Sequence, residues 1–171
     1  MGITKKELED LYVELETPLY NFALRWVWNR AAAQDLVQEA FIRLWQWKGD
    51  VRHATIKSFL YKTIQNIALN EIRRNKLKES LPFVAWIIGP NTLSLESELI
   101  QKEDLKLLHL AIESLEVELK KTFLLCQYSD LSHDEIARVL DIPAGTVASR
   151  KNRALKQIQD IIKKDSRGVH G

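Results

Sequence analysis

Residues 131–150 read LSHDEIARVLDIPAGTVASR, and this stretch predicts two helices joined by a tight turn. Ser132 is a favoured N-cap residue, and Glu135 stands three residues later, which is the spacing of a capping box. The inner side of the first helix is predicted to comprise Ile136, Ala137 and Leu140. Pro143 suits the first turn of a new helix, because its missing amide hydrogen would have no partner there. The second helix is therefore predicted to begin near Ala144.

The second helix has one polar face and one apolar face. The polar residues are Thr146, Ser149, Arg150 and Arg153, and the residues predicted to pack inward are Val147, Ala154 and Ile158. Gly145 lies in the first turn, where it allows backbone amides to approach a phosphate closely. A helix-turn-helix places the N-terminal residues of its second helix on base edges in the major groove, so the stretch predicts DNA binding. A helical hairpin within a larger bundle is the alternative interpretation.

The composition predicts an all-α protein. The 171 residues are 46% hydrophobic and include only 6 Gly and 4 Pro, and their apolar residues recur with helical rather than alternating periods. The single cysteine, Cys126, excludes a disulfide framework and is predicted to be a buried thiol. No apolar run approaches the roughly 18 residues that a membrane-spanning helix needs, and no signal peptide is recognisable. We therefore expect a cytoplasmic protein without direct membrane insertion.

Charge is segregated along the chain, although the net charge is only +2. Residues 48–78 carry 8 basic and 2 acidic side chains, and residues 138–171 carry 8 basic and 3 acidic ones. The intervening residues 79–137 carry 4 basic and 11 acidic side chains. Two basic blocks separated by an acidic one predict two separate contacts with a polyanion.

Helical periods and turn residues divide the chain into two small helical domains joined by a linker. Helices are predicted over residues 5–28, 32–47 and 56–76, with a kink or a new first turn at Thr17 and Pro18. The predicted divisions are an N-terminal domain over 1–78, a linker over 79–101, a C-terminal domain of four helices over 102–165, and a tail over 166–171. The apolar run at residues 83–88 is predicted to pack on one of the two domains, and an exposed docking site is the alternative interpretation.

Two helices of the N-terminal domain carry polar stripes of different chemistry. In the second helix, the apolar stripe is Val37, Ala40, Phe41 and Leu44, and the opposite stripe is Asp35, Gln38, Glu39 and Arg43. In the third helix, the apolar residues are Leu60, Ile64, Ile67 and Ile72, and the polar ones are Lys62, Asn66, Asn70 and Arg73. Amides and cations bind base edges and phosphates, so the third helix is a second candidate DNA surface. The stripe of the second helix, taken alone, is typical of a solvated surface.

Three of these segments, in this order, resemble the small extracytoplasmic-function group of bacterial RNA polymerase sigma factors. Residues 34–41, QDLVQEAF, resemble the core-polymerase-binding helix of region two. Residues 59–74, FLYKTIQNIALNEIRR, resemble the helix that melts the promoter and reads its minus-ten element. Residues 142–150, IPAGTVASR, resemble the recognition helix of region four. The resemblance extends over nearly the whole chain apart from the linker and the tail.

The resemblance implies a non-enzymatic factor that brings core RNA polymerase to promoter DNA, helps to open it, and has an anti-sigma factor as a partner. The residues implied in polymerase binding are Asp35, Leu36, Gln38, Glu39 and Arg43. Those implied in binding the minus-ten region are Lys48, Arg52, Lys57, Phe59, Lys62, Asn66, Asn70, Arg73 and Arg74. Those implied in binding the minus-thirty-five element are Gly145, Thr146, Ser149, Arg150 and Arg153. No cofactor, metal ion or small-molecule substrate is implied.

Several residues depart from the family pattern. Phe59 stands where Trp is usual, Asn70 where Asp is common, and Ala148 where Lys is common. Lys151 occupies a usually apolar position and Leu155 a usually basic one. These two exchanges predict either a slightly rotated recognition helix or a snorkelling Lys151 side chain. No promoter sequence is therefore assigned.

Two other classes of protein fit parts of the sequence. A stand-alone regulator, with an N-terminal sensing or dimerising domain, would bind a palindromic site as a dimer without polymerase. An enzyme acting on nucleic acid is disfavoured, because the four histidines are isolated and the carboxylates form no convergent metal-site pattern. No phosphate-binding glycine loop is present either.

Overall fold

The computed structural model describes residues 2–49, 53–75 and 95–168, and all regular structure within these ranges is helical. The seven helices in these ranges are α1 (Lys5–Val27), α2 (Arg30–Gln46), α3 (His53–Asn75), α4 (Leu95–Glu113), α5 (Val117–Tyr128), α6 (His133–Leu140) and α7 (Ala144–Gly168). The predicted all-α class is therefore confirmed. Among the helices described, none combines the length and the apolar character that crossing a bilayer requires.

Helices α1, α2 and α3 form the N-terminal bundle, in which each helix packs against the other two. Large core side chains that are at most 2% exposed are Leu15, Leu19, Phe22, Trp26, Leu36, Leu44, Leu60, Tyr61 and Ile64. The apolar stripe predicted for α2 is also buried, and its members Val37, Ala40, Phe41 and Leu44 are at most 5% exposed. Burial of apolar surface, at roughly 25 cal/mol per Å², is the main source of stability for such a bundle.

Short polar side chains fix the helix ends in this bundle. Thr4 and Glu7 form a capping box at the start of α1, and the Thr4 amide donates to Glu7 Oε2 over 2.8 Å. α1 ends at Trp28, which has a left-handed conformation with φ 51° and donates its amide to a carbonyl of the last turn over 2.7 Å. Asn29 then caps α2 by accepting a hydrogen bond from the Ala32 amide at 2.9 Å. The chain thus reverses between α1 and α2 within a very short connection.

Helices α4 to α7 form the C-terminal domain, and its last two helices are the predicted helix-turn-helix. Ser132 and Glu135 make the predicted capping box, with the Ser132 amide donating to Glu135 Oε2 over 2.7 Å. α6 ends at Asp141, which is left-handed with φ 55°, and α7 begins at Ala144 as predicted. The predicted inward residues of α7, Val147, Ala154 and Ile158, are at most 5% exposed. In α6, Ile136 and Ala137 are buried, Leu140 is partly buried, and Val139 is an additional core residue.

The helices differ from the predicted organisation in three details. At Pro18, α1 continues as one helix, so no new helix starts there. The burial of neighbouring side chains on the inner face of α1 offsets the backbone hydrogen bond that proline removes. α4 begins at Leu95, inside the predicted linker 79–101, because residues 95–101 are mostly good helix formers. α7 extends to Gly168, into the predicted tail, because the helical pattern continues through the partly buried Ile161.

Two predictions concern residues that the structure does not describe. The apolar run at residues 83–88 and the cation Arg52 lie outside the described residues.

Cys126 is half-buried rather than fully buried, and burial raises the pKa of its thiol. It is therefore a packing residue at the edge of α5 rather than a reactive thiolate.

The two domains contact each other. α1 packs on α5, and α3 packs on α6. The buried side chains of the two domains are continuous through this contact. We call this the closed arrangement, and it determines the surroundings of one of the predicted DNA-binding residues, Lys57.

Candidate polymerase and nucleic-acid interfaces

The N-terminal part of α7 presents an open polar surface. Gly145, Ser149 and Arg153 are exposed, and Thr146 and Arg150 are partly buried. A Cβ atom added at Gly145 would meet no atom within 4 Å, so internal packing does not require glycine there. The first amides of α7 and the positive end of its dipole adjoin this open space, which suits the approach of a phosphate.

Arg150 is the cation of this surface that already has an anionic partner. Its Nη1 atom donates to Glu118 Oε2 of α5 over 3.2 Å. Glu118 also accepts from Lys121 over 2.7 Å, and this hydrogen bond, with a smaller effect of Arg150, lowers the pKa of the Glu118 carboxyl. Because the Glu118 side chain is 52% exposed, water screens the pair, and its worth is at most about 1 kcal/mol. Arg150 can therefore exchange this carboxylate for DNA at small cost.

The residues of α7 that depart from the family pattern lie beside this surface. Leu155 packs against the core, next to the buried Ala154. Lys151 and Ala148 are partly buried. The buried face of α7 is the one that its periodicity predicts, so Leu155 widens that face at its edge.

The polar stripe of α2 is accessible. Asp35, Gln38 and Arg43 are exposed, and Glu39 is partly buried. Arg43 Nε donates to Glu39 Oε1 over 2.7 Å, one helical turn away. Leu36 was predicted to be part of the polymerase-binding set, but its side chain is only 1% exposed and belongs to the core. It supports α2 from behind and does not reach the surface.

An apolar surface, which the predicted set omits, adjoins the α2 stripe. The side chains of Ile42 and Trp45 are 49% and 51% exposed. Both follow Gln38 at helical spacing, so they extend the same side of α2. The sequence does contain a signal for this surface, because Ile42 and Trp45 are large apolar residues that lie outside the predicted buried stripe of α2. A groove of about 380 Å³ lies at the other end of this side, lined by Tyr12, Glu16, Thr17, Tyr20, Gln34, Val37 and Gln38.

The outer face of α3 carries the second candidate DNA surface. Its exposed residues are Lys62, Asn66, Asn70, Arg73 and Arg74, and the opposite side chains of Leu60 and Ile64 are fully buried. From Lys62 to Arg73 this stripe is about 16 Å long, at 1.5 Å per residue. Lys48 is exposed two residues after the end of α2.

Aromatic side chains lie near the start of α3. Phe59 is partly buried, and its ring centroid lies 5.4 Å from that of Trp47. Trp47, which the predicted set omits, is 50% exposed. A Cβ atom at Gly49 would clash with the Trp47 side chain, so the indole packs directly over this glycine. This pair forms an accessible aromatic edge between Lys48 and the α3 stripe.

Lys57 is engaged in the closed arrangement. Its Nζ atom lies 2.8 Å from Asp130 Oδ2, in the connection between α5 and α6, and 3.2 Å from Glu14 Oε1 of α1. The hydrogen bond to Asp130 is the main cause that raises the pKa of the Lys57 ammonium. The ammonium therefore contacts two carboxylates where the sequence predicts a DNA contact.

The described residues offer no grouping of histidine, cysteine and carboxylate side chains that could hold a metal ion. His133 is exposed at the first turn of α6, and His109 stacks edge-on against Trp28 with ring centroids 4.6 Å apart. Burial lowers the pKa of the His109 imidazole, so it is neutral near pH 7. Both histidines fit structural positions.

Two family models match successive parts of the chain. The family described as Sigma-70 region 2 matches residues 11–78, and the family described as Sigma-70, region 4 matches residues 105–158. The ECF RNA polymerase sigma-E factor of Escherichia coli strain K12 is 32% identical over 144 residues, which are 74% of this chain and 71% of that protein. The ECF RNA polymerase sigma factor SigE of Mycolicibacterium smegmatis is 30% identical over 155 residues, covering 86% of this chain and 58% of that protein.

A solved structure shares the fold. The sigma factor RpoE of Bartonella quintana, in complex with the anti-sigma factor NepR, superposes with a TM-score of 0.62 at 22% identity, over 91% of this chain and 98% of that one. The matches to Sigma-70 region 2 and region 4 together define a sigma-70-type transcription initiation factor. The chain belongs to the extracytoplasmic-function group of RNA polymerase sigma factors. Such factors are not enzymes; they bind core RNA polymerase and direct it to promoter DNA, as the resemblance predicts.

Proposed function

We propose that three helices of this sigma factor divide promoter recognition among them. In this proposal α2 docks on core polymerase, α3 holds the minus-ten region, and the start of α7 reads the minus-thirty-five element. The observation that carries the proposal is the exposure of three chemically distinct stripes on three separate helices, each backed by a buried apolar face.

The polymerase-binding surface is proposed to comprise Asp35, Gln38, Glu39 and Arg43, joined by the exposed Ile42 and Trp45. An exposed apolar pair beside a charged stripe is typical of a protein interface, because apolar contacts supply affinity and charges supply orientation. The Arg43 and Glu39 side chains are paired with each other over 2.7 Å in the free protein. Because this pair is solvent-exposed, each side chain can exchange its partner for one on the polymerase.

The minus-ten surface is proposed to comprise Lys48, Arg52, Lys57, Phe59, Lys62, Asn66, Asn70, Arg73 and Arg74. Two exposed asparagines in the middle of a cationic stripe suit base edges flanked by phosphates. A stripe of about 16 Å along one helix suits several nucleotides of a single strand. Capture of unpaired bases on this surface would stabilise the opened promoter.

The minus-thirty-five surface is proposed to comprise Gly145, Thr146, Ser149, Arg150 and Arg153. The first turn of α7 is unobstructed, and Arg150 is one further turn along the helix. In helix-turn-helix proteins this part of the second helix meets the base edges. Arginine binds guanine through two parallel hydrogen bonds, so Arg150 is the proposed base-reading residue.

We further infer that the protein acts in the cytoplasm and that an anti-sigma protein controls it. RNA polymerase, its partner, determines the compartment. The structural relative from Bartonella quintana is itself in complex with an anti-sigma factor, and it covers nearly the whole fold of this chain. Pull-down of this chain with candidate anti-sigma proteins from the same genome tests the second inference.

The test of the proposed function is run-off transcription with purified core polymerase on a library of promoters. Glu39→Lys is expected to weaken polymerase binding by roughly tenfold, because it reverses a charge and breaks the Arg43 pair. Glu9→Lys is the matched control, since Glu9 pairs with Lys5 at the same i,i+4 spacing on the exposed side of α1. Equal affinity of both variants for core polymerase would contradict the assignment of α2.

A further inference from the structure

Trp47 is an exposed aromatic residue that none of the three proposed surfaces uses. It directly follows α2 and is 50% exposed, much like Trp45 at 51%. Residues two apart on a helix point about 200° apart, so Trp47 lies on the other side of α2 from Trp45. It contacts α3 instead, where its ring meets Phe59 with centroids 5.4 Å apart and planes inclined by 57°. Trp47 is therefore separate from the surface proposed to bind polymerase.

The indole of Trp47 is held in place on two sides. Phe59 contacts it from α3, and Gly49 lies so close beneath it that a Cβ atom there would clash with the ring. The φ angle of Gly49 is not positive, so the space under the indole, rather than the backbone conformation, is what favours glycine at this position. Half of the Trp47 surface nevertheless remains open. A ring that is already fixed loses little conformational freedom when a ligand binds to it.

The pair of Trp47 and Phe59 continues the polar stripe of α3. Phe59 precedes Lys62 by about one turn, or roughly 4.5 Å along the helix axis. Lys48 directly follows Trp47, and both lysines are exposed. Proteins hold single-stranded nucleic acid with this combination, because cations bind the phosphates while aromatic rings stack on the bases. Trp47 is thus placed for a base at the edge of the strand segment that α3 is proposed to hold.

We propose that the Trp47 indole is a stacking platform for one unpaired base of the minus-ten strand. This inference rests on the proposed function of α3. Stacking uses the face of a base, which every base has, so Trp47 holds any base, whereas Asn66 and Asn70 are placed to read base edges. A base within the duplex is stacked on its neighbours and reaches the indole only after it has left the helix. Trp47 therefore stabilises the opened promoter without affecting which sequence is preferred.

The test uses the full chain bound to core polymerase, on a promoter from the run-off library whose minus-ten segment is already unpaired. Trp47→Leu removes the ring but keeps an apolar side chain, and it is expected to weaken binding roughly five- to hundredfold, the usual loss for one stacked base. Trp47→Phe keeps a ring and is expected to stay within about threefold of the natural chain. Leu110→Ala is the matched control with unchanged binding, because Leu110 is 53% exposed and lies outside the three proposed surfaces.

The decisive measurement removes one base at a time from the unpaired strand and leaves its sugar and phosphate in place. At one position the natural chain is expected to lose as much affinity as Trp47→Leu loses on the intact strand. Trp47→Leu is expected to lose nothing further at that position, because its platform is already absent. Either of two results would overturn the proposal: equal binding of Trp47→Leu and Trp47→Phe, or a Trp47→Leu variant that loses as much as the natural chain at every position.

Two further variants keep the outcome clear. If Trp47→Leu loses helical circular dichroism, Gly49→Ala decides instead, because it retains the indole but places a methyl group where the ring lies. Gly49→Ala is expected to lose roughly threefold or more on the unpaired probe, and unchanged affinity would overturn the platform. Lys62→Ala tests the α3 surface on the same probe. A loss with Lys62→Ala but not with Trp47→Leu would overturn the platform and leave the assignment of α3 intact, whereas no loss with either variant would overturn both.

Discussion

The two candidate DNA surfaces differ in how they use a helix. On α3, polar residues follow the length of the helix, from Lys62 to Arg73, and the cations accumulate at its C-terminal end. On α7, the polar residues accumulate in the first turns, beginning with the open position Gly145. A lengthwise stripe suits a single strand laid along the helix, whereas an open first turn suits end-on insertion into a duplex groove. In the proposed assignment, the same secondary structure thus serves two forms of DNA.

The surfaces also differ in where their cations find partners in the free protein. Arg150 pairs with Glu118 inside its own domain, whereas Lys57 pairs with Asp130 of the other domain. Separation of the domains would therefore leave Lys57 with only Glu14 of its two carboxylate partners, and it would leave Arg150 paired. The surroundings of the proposed minus-ten surface thus depend on the arrangement of the domains, whereas the Arg150 pair of the proposed minus-thirty-five surface does not.

The largest expected effects concern the independence of the two regions. Ile64 of α3 and Ile136 of α6 are both fully buried, so replacing either by alanine should cost about 2–5 kcal/mol. Four of the five tryptophans lie within residues 1–49, so fluorescence follows chiefly the N-terminal bundle and, through Trp28, its contact with α4, whereas circular dichroism follows all helices. We expect Ile64→Ala to lower the fluorescence midpoint and Ile136→Ala to lower chiefly the dichroism midpoint. Equal shifts in both probes for both variants would mean one cooperative unit.

Base reading by α7 gives the next largest effect. Arg150→Ala should cost roughly 1–3 kcal/mol on the preferred promoter and relax the preference at one upstream position, because a bidentate contact with guanine is lost. Binding-site selection from a randomised upstream element measures this. Arg138→Ala on the exposed side of α6 is the control and should leave the preference unchanged. A uniform loss on every sequence would instead assign Arg150 to a phosphate.

Salt dependence distinguishes the two forms of DNA. Removal of one phosphate contact reduces the slope of log affinity against log salt by about 0.9 on duplex DNA and about 0.7 on a single strand. We expect Arg153→Ala to show the duplex change on upstream DNA, and Lys62→Ala to show the single-strand change on a minus-ten oligonucleotide. Titrations with core polymerase between low and physiological salt measure both slopes. Exchange of the two outcomes would reverse the roles of α3 and α7.

The capping boxes give the smallest effects. Ser132→Ala should destabilise the C-terminal domain by about 1 kcal/mol, and Thr4→Ala should do the same for the N-terminal domain. Hydrogen bonds from Ser132 lower the pKa of the Glu135 carboxyl, so this carboxylate stabilises the fold at neutral pH, and the contribution is lost as pH falls below about 4.5. The unfolding midpoint measured by circular dichroism should therefore fall less steeply at acid pH in Glu135→Gln than in the natural chain. An equally steep fall in both would show that this cap does not cause the loss of stability in acid.

Sequence patterns predict the parts of this structure that depend on local chemistry. The capping box at Ser132, the start of α7 at Ala144 and the buried stripe of α2 follow from neighbouring residues alone. The start of α4 escapes prediction because turn-forming residues precede it closely and obscure a helix made of ordinary helix formers. The core position of Leu36 was not predicted, because the buried face of α2 includes more residues than the four that were predicted to form it.

The partners of surface cations are the second class of features that sequence does not predict. Lys57 and Asp130 are distant in the chain, and only the packing of α3 on α6 brings them together. The same holds for Arg25 and Tyr128. Such pairs depend on the relative placement of two domains, which no local period encodes.

Trp28 links two properties that are usually separate. A left-handed conformation costs a residue with a side chain roughly 1–2 kcal/mol, and glycine would close the end of α1 without that cost. The Cβ atom makes this position unfavourable, and the indole that it carries reaches Glu113 and Arg25. A glycine at position 28 would therefore relax the backbone and remove this part of the domain contact at the same time.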